Sequence, residues 1–218
     1  MNQIILFDLG DTLVYRPKKH LDSDVELIAA EYRLNPDKIR KSIIQNTRFY
    51  PGVYSPWLDN RKIRNLSQEK NYYSRYFSLV FASLGISQLP EDLIEKRLGQ
   101  KRYFLFPNSL FYLQQLCKLG YQLGIFTNGR PSRRIVLQEL HIDQFFNPKM
   151  IFISDELQLT KNDPAAYRLI NLQLPSDKIT LCDDEQQFLD LAAETGWTGL
   201  LVNQHKLGLS VLDPLVKM

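Results

Sequence analysis

The chain has 218 residues, 44% hydrophobic and 23% charged, the balance of a globular protein rather than a disordered or fibrous one. Its formal net charge of +3 comes from 27 basic and 24 acidic residues spread along the sequence, without the dense basic stripe of a nucleic-acid binder. No apolar run approaches the roughly 18 residues of a membrane helix, and two cysteines, Cys117 and Cys182, make no disulfide scaffold, so a cytoplasmic protein with neither nucleic-acid nor membrane partners is expected.

Residues 3–7 are a short apolar run that stops abruptly in Asp8-Leu9-Gly10-Asp11-Thr12. Such a run, bounded by turn residues, reads as a buried strand, and with no basic segment ahead of it no secretory leader is expected. Residues 21–102 then read as helices. Val25, Ile28, Ala29 and Tyr32 share one helical face, and Asn35-Pro36 opens a helix carrying Ile39, Ile43 and Ile44. Tyr73, Phe77, Val80, Phe81 and Leu84 form a third stripe stopped by Gly85, read as the core of this helical region; Leu93, Ile94 and Leu98 form a short fourth stopped by Gly99. The stretch 48–61, with Tyr50, Tyr54, Pro56 and Trp57, is the least regular part.

From Pro107 onward strands and helices alternate. Helices are expected over 108–119, 132–140, 163–172 and 187–195, and strands over 122–126, 150–153, 179–182 and 199–202. Alternation of this kind implies right-handed crossovers and a parallel, doubly wound sheet. The expected architecture is a Rossmann-like α/β core made of residues 1–15 and 106–218, interrupted by an all-helical domain over 16–105.

In an open parallel sheet, ligands bind beyond the carboxyl ends of the strands. Asp8, the run Thr127-Asn128-Gly129 and the pair Asp183-Asp184 all fall there, and Lys161 lies in a loop just before a helix start. Taken singly, each has an ordinary explanation: an Asx-type turn, a tight turn, a helix cap, a solvated lysine. Gathered at one edge, the carboxylates repel unless a cation sits among them, and oxygen-only ligands favour a hard ion such as Mg²⁺. A hydroxyl, loop amides and an ammonium would hold an anion there. Such a set is equipped for phosphoryl transfer through an aspartyl phosphate.

The motifs themselves resemble those of the haloacid dehalogenase-like superfamily of phosphohydrolases. Phe7-Asp8-Leu9-Gly10-Asp11-Thr12-Leu13 resembles its first motif and Gly124-Ile125-Phe126-Thr127-Asn128-Gly129 its second. Lys161-Asn162-Asp163-Pro164 resembles the third, and Leu181-Cys182-Asp183-Asp184, followed by Ala192-Ala193-Glu194-Thr195-Gly196, the fourth. A helical insert between the first two motifs is similar to the type-one cap of that superfamily. The resemblance implies Asp8 as the nucleophile, with Mg²⁺ held by Asp8, the Gly10 carbonyl, Asp183 and Asp184. It implies Thr127, Asn128 and Lys161 as the groups that hold the phosphoryl oxygens, Lys161 also neutralising the nucleophile, and a small phosphorylated metabolite as substrate.

One position departs from the pattern. Family phosphatases usually carry a second aspartate two residues after the nucleophile, as general acid and base; here that residue is Gly10, and Asp11 is assigned to the turn. The resemblance therefore also admits a low-turnover protein that binds a phosphorylated metabolite for regulation. A dehalogenase, disfavoured by Asp183-Asp184, and a phosphonate hydrolase, which needs a cap lysine such as Lys38 or Lys41, are further alternatives. Substrate specificity is expected from Tyr15, Arg16, Arg48, Tyr54 and Trp57, with Arg48 or Trp57 facing the Asp8 edge. Arg130, Arg133 and Arg134 read as a solvated helix face, Cys182 as core packing, and His20, His141 and His205 have no ligand-like spacing.

Overall fold

The computed structural model describes residues 3–50, 53–54, 63–99, 102–174, 176, 178–204, 206 and 208–216; Trp57 and His205 lie outside the described residues. In chain order, β1 (Ile4–Phe7) and β2 (Val14–Tyr15) lead into α1 (His20–Tyr32), α2 (Pro36–Thr47), α3 (Leu66–Ser83) and α4 (Leu93–Leu98). The chain returns through β3 (Phe104–Leu105), α5 (Ser109–Lys118), β4 (Gln122–Thr127), α6 (Arg133–Glu139), β5 (Ile151–Ile153) and the single turn α7 (Ser154–Leu157). It closes with α8 (Pro164–Gln173), β6 (Ile179–Asp183), α9 (Gln186–Glu194), β7 (Thr198–Leu201) and α10 (Asp213–Val216).

Five strands form one parallel sheet in the order β5-β4-β1-β6-β7. All four side chains of β1 are buried because the strand is central and covered on both faces. Ile5 and Phe7 pack into one hydrophobic cluster with Leu113 and Leu116 of α5, and Ile4 and Leu6 into another with Tyr167 and Ile170 of α8. The two-residue period of a strand thus feeds two separate layers. Phe7 is level with Ile125 of β4 and with Cys182 of β6. The Asp8 amide donates to the Cys182 carbonyl at 2.8 Å, so Asp8 and Asp183 leave the sheet side by side.

The helices between β2 and β3 have their own core. Ile28 of α1, Ile39 and Ile43 of α2, Tyr76, Phe77, Val80 and Phe81 of α3, and Leu93 of α4 are buried together. Asn35 starts α2 by accepting from the amides of Asp37 and Lys38 at 2.8 and 3.2 Å, with Pro36 in the first turn. A buried carboxylate, Asp24 of α1, sits inside this unit. It receives Arg97 Nε at 3.1 Å and Arg102 Nη2 at 2.6 Å, and the Arg97 guanidinium lies 3.6 Å from the centre of the Tyr73 ring.

The antiparallel β2–β3 ladder, Val14 opposite Leu105 and Tyr15 opposite Phe104, has no counterpart in the sequence reading. Two residues are too few to show an alternation, and 104–105 fell inside the predicted helical domain. No helix among the described residues is long and apolar enough to cross a membrane.

Among the described glycines, Gly124 leaves the least room for a side chain. A Cβ there would stand 2.5 Å from the Met150 carbonyl oxygen and 2.7 Å from Leu6 Cδ2. Gly124→Ala must therefore push β5 away from β4, and overpacking of this kind costs about 1–3 kcal/mol. Thermal unfolding of the variant should start several degrees lower; an unchanged midpoint would show that β5 yields without cost.

Candidate active site

Past Asp8 the chain makes a tight turn. The amides of Leu13 and Val14 donate to the Leu9 carbonyl at 3.1 and 2.9 Å, and the Asp11 amide donates to the Val14 carbonyl at 2.8 Å. Asp11 sits at φ +56°, a left-handed position that aspartate tolerates better than most residues. The turn leaves Asp11 exposed while Asp8 is buried, which separates the two carboxylates of one motif.

Lys161 joins the strand ends. It is 1% exposed, and its ammonium donates to Asp8 Oδ1 at 2.6 Å and to Asp183 Oδ2. Its other side faces the Phe188 and Phe126 rings, 4.9 and 5.7 Å from their centres. Its backbone amide donates to Asn128 Oδ1 at 2.9 Å. Burial alone would lower the lysine pKa, but Asp8 and Asp183 outweigh it and hold the group above its usual range.

Asp183 Oδ1 accepts from the Glu185 amide at 3.0 Å. Burial, with Asp8 adding to it and Lys161 opposing, pushes Asp183 up to about 6. Asp184 is half-buried, accepts from Thr12 Oγ1 at 3.2 Å, and is also pushed up to about 6, by burial and then by Asp8. Two carboxylates therefore share one ammonium, with a third, Asp184, close enough to feel Asp8.

Two oxygens at this edge have no donor among the described residues: Asp8 Oδ2 and the Gly10 carbonyl. With Asp8 Oδ2 left open, the Gly10 carbonyl and the second lone pairs of Asp8 Oδ1 and Asp183 make a hard, oxygen-only donor set. No group of three His, Cys, Asp or Glu side chains is arranged to hold a metal among the described residues. A cation at this edge would take two carboxylates and a carbonyl from the chain and complete its shell with substrate and water. These donors fit Mg²⁺.

The predicted phosphate-binding residues end β4. Thr127 is buried at the last position of the strand, and the half-buried Asn128 positions Lys161. The following Gly129 amide donates to Ser154 Oγ at 3.0 Å, which pins the loop to the end of β5. Ser154 and Thr12 were missed in the sequence, although both sit just past strand ends, the placement that singled out Asp8 and Asp183. Gly10 has no clash in store for a side chain: a Cβ there would meet nothing within 4 Å, and its φ is not in the positive range.

The predicted specificity residues scatter. Arg48 lies exposed with its guanidinium 4.6 Å from the ring centre of its neighbour Phe49, and Tyr54 donates to Asp24 Oδ2 at 2.8 Å inside the helical unit. Neither joins the Asp8 cluster. Lys38 and Lys41 are exposed on α2. Tyr15 packs against Phe106 and Phe104, and Arg16 reaches the Tyr103 ring at 5.9 Å.

The three arginines after the second motif are not a solvated face. Arg130 is buried, pairs with Asp155 at 2.9 Å, and lies 4.6 Å from the Tyr72 ring of α3. Arg134 forks onto Glu156, with Nε and Nη2 at 2.9 and 2.8 Å, and also donates to the Ile151 carbonyl. Arg133 lies 4.8 Å from the Tyr103 ring. The adjacent Ser132 gives its amide to Glu69 Oε2 at 2.7 Å and its hydroxyl to Glu69 Oε1 at 2.6 Å. Glu69, on α3, is fully buried, and burial raises its pKa against the pull of those two hydrogen bonds. Arg130 and Arg133 reach across the seam between core and helical insert, whereas the partly exposed Arg134 ties α6 to β5 and α7 within the core.

No family model matches the chain, and no curated protein matches it in sequence. Solved structures do. An HAD phosphatase from Thermococcus onnurineus shares 17% identity at a TM-score of 0.57, over 93% of this chain and 86% of that one. An L-2-haloacid dehalogenase from Xanthobacter autotrophicus, with chloropropionic acid covalently bound, shares 15% identity at 0.53, over 99% and 84%. The magnesium-bound YfnB of Bacillus subtilis shares 16% identity at 0.54, over 93% and 87%. The chain thus has the α/β fold of the haloacid dehalogenase-like enzymes, and at these identities the likeness is one of fold.

The raised aspartates carry a pH signature in metal-free buffer. Their folded-state pKa values stand near 6 against an ordinary 3.8, so the folded chain binds these protons more tightly than the unfolded chain does. The stability they contribute is complete below about pH 4 and is lost as pH rises through 6. In EDTA, urea midpoints should fall across that window, and Asp184→Asn should flatten the fall. A midpoint profile identical in the variant would remove Asp184 from this account.

Proposed function

We propose that the chain is a Mg²⁺-dependent phosphohydrolase that transfers the phosphoryl group of a small metabolite to Asp8. The observation that carries this reading is the Asp8 carboxylate itself. One oxygen is fixed by Lys161 at 2.6 Å, and the other has no donor among the described residues. A carboxylate held by one oxygen presents the other as a nucleophile in a fixed direction.

The roles of the remaining groups follow from their chemistry. Lys161 offsets the charge of Asp8, so that an anionic phosphoryl group is not repelled. Thr127 and the loop amides after it are suited to the phosphoryl oxygens, and Asn128 keeps Lys161 in register. Asp8, the Gly10 carbonyl and Asp183 would hold Mg²⁺, with Asp184 reaching it through water; the ion supplies charge neutralisation to the transferring group. The helical insert acts as the cap that closes over the Asp8 edge, a gating role met in many hydrolases.

Asp8→Asn keeps the size of the side chain and removes the attacking charge. Phosphatase turnover on a panel of phosphate esters should fall to background, while Asp11→Asn, at the exposed turn, should keep most of it. EDTA should abolish the activity and Mg²⁺ restore it. Full turnover in EDTA, with release of halide from a 2-haloacid, would instead support a dehalogenase.

Gly10 leaves both half-reactions without a side-chain acid or base at the usual position. Substrates with good leaving groups, such as acyl, aryl and anomeric phosphates, should react best. The open space around Gly10 makes Gly10→Asp a clean test. It should raise the rate by up to about 10² to 10⁴ for alkyl phosphates and far less for aryl phosphates. An equal effect on both classes would mean that another group already supplies the proton.

A further inference from the structure

A second charged cluster sits where the two linkers meet α1 and the start of α6, and it is positive. Arg16 and Arg133 lie over the same Tyr103 ring, at 5.9 and 4.8 Å from its centre. Among the described residues, no carboxylate pairs with either. Arg133 Nη1 is buried and has no hydrogen-bond partner there. By contrast Arg97 and Arg102 share Asp24, Arg130 has Asp155, and Arg134 has Glu156. Arg16 is exposed and Arg133 keeps a buried unused donor, so an anion reaching both would satisfy that donor and offset two like charges.

His20 tightens the same point. Arg102 Nη1 is 3.3 Å from His20 Nδ1, and Tyr103 Oη is 3.1 Å from His20 Nε2. Arginine only donates, so Nδ1 accepts and the Nε2 proton goes to Tyr103 Oη. Burial, followed by the charges of Arg16, Arg97, Arg133 and Arg102, keeps the ring neutral by lowering its pKa far below its usual value. The Tyr103 hydroxyl hydrogen is then left to donate elsewhere. Two guanidinium groups thus lie against the ring of one phenol, and no carboxylate among the described residues pairs with either.

The cluster belongs to the same edge as Asp8. Arg16 directly follows β2, which leaves the turn after Asp8, and a Cβ on Gly129 would touch Arg133 Nε at 2.8 Å. Gly129 in turn follows Asn128, the residue that positions Lys161.

We infer that Arg16, Arg133 and Tyr103 bind a second anionic group of the substrate, a carboxylate or a second phosphate, at the far end from the phosphoryl group that Asp8 attacks. The substrate class is then a phosphate ester with two anionic ends. This rests on the phosphohydrolase reading for the first anion, and the experiment keeps the two apart.

Three ligands share one three-carbon frame and differ only at the end: glycerol 3-phosphate, 3-phosphoglycerate and glycerol 1,3-bisphosphate. Their affinities for the Asp8→Asn protein are measured by calorimetry. At least one of the two-ended compounds should bind about tenfold tighter than glycerol 3-phosphate, the worth of one charge-assisted hydrogen bond. Whichever is tighter names the second group as carboxylate or phosphate. In Arg16→Met and Arg133→Met, each checked for folding by circular dichroism, the preference should shrink toward one. Equal affinities, no measurable binding of any of the three, or a preference that survives both substitutions would overturn the inference. Turnover by the unmodified protein is scored separately: a preserved preference without hydrolysis would leave the anion site standing and remove the catalytic reading.

Discussion

A buried ammonium between two buried carboxylates organises the molecule. Lys161, Asp8 and Asp183 are each costly to take out of water, and only their mutual attraction makes the arrangement tolerable. Removing any one strands the others in a low-dielectric site. Lys161 enters from the loop before α8, Asp8 from β1 and Asp183 from β6, while Asn128 fixes the lysine backbone from the end of β4. Separate segments are thus locked at one edge by electrostatics, on a sheet whose register already sets Asp8 beside Asp183.

The helical insert is tied to this edge through the chain that follows the second motif. Ser132 binds Glu69, and Arg130 lies on Tyr72, both from α3. Arg133 lies on Tyr103 in the returning linker. The loop that carries Thr127 and Asn128 is therefore tied to the insert within a few residues. A negative centre around Asp8 and a positive one around Arg16 and Arg133 face the same seam.

Most of the fold was legible because its signals are local. β1 is a pure apolar run since both its faces are covered, and the four helices and four strands expected after Pro107 appear in that order, while the single turns α7 and α10 had no signal long enough to read. Asp8, Lys161 and Asp183 were legible because four motifs fell at predicted strand ends, and the structure brings these three together. The β2–β3 ladder was not, since two residues carry no period. Glu69 and Arg97 were hidden inside apolar stripes. Glu69 precedes Tyr72, Tyr73 and Tyr76 at helical spacing, and Arg97 follows Leu93 and Ile94 in the same way. A charged residue in an apolar register is a readable sign of a buried partner, but the partner itself, Ser132 or Asp24, lies in another element. The separation of Arg48 and Tyr54 from the Asp8 cluster was hidden for the same reason: nothing near them in sequence says which way the insert turns.

Cys182 ends β6 one residue before Asp183, and it is completely buried. Burial, with the Asp183 charge added, lifts its thiol well above the usual range, and burial also raises the half-buried Cys117. Oxidants and alkylating agents act on thiolates, and neither sulfur supplies one at neutral pH. A sulfur atom thus lies directly behind the carboxylate edge, but buried and held as the thiol, the form that oxidants attack least.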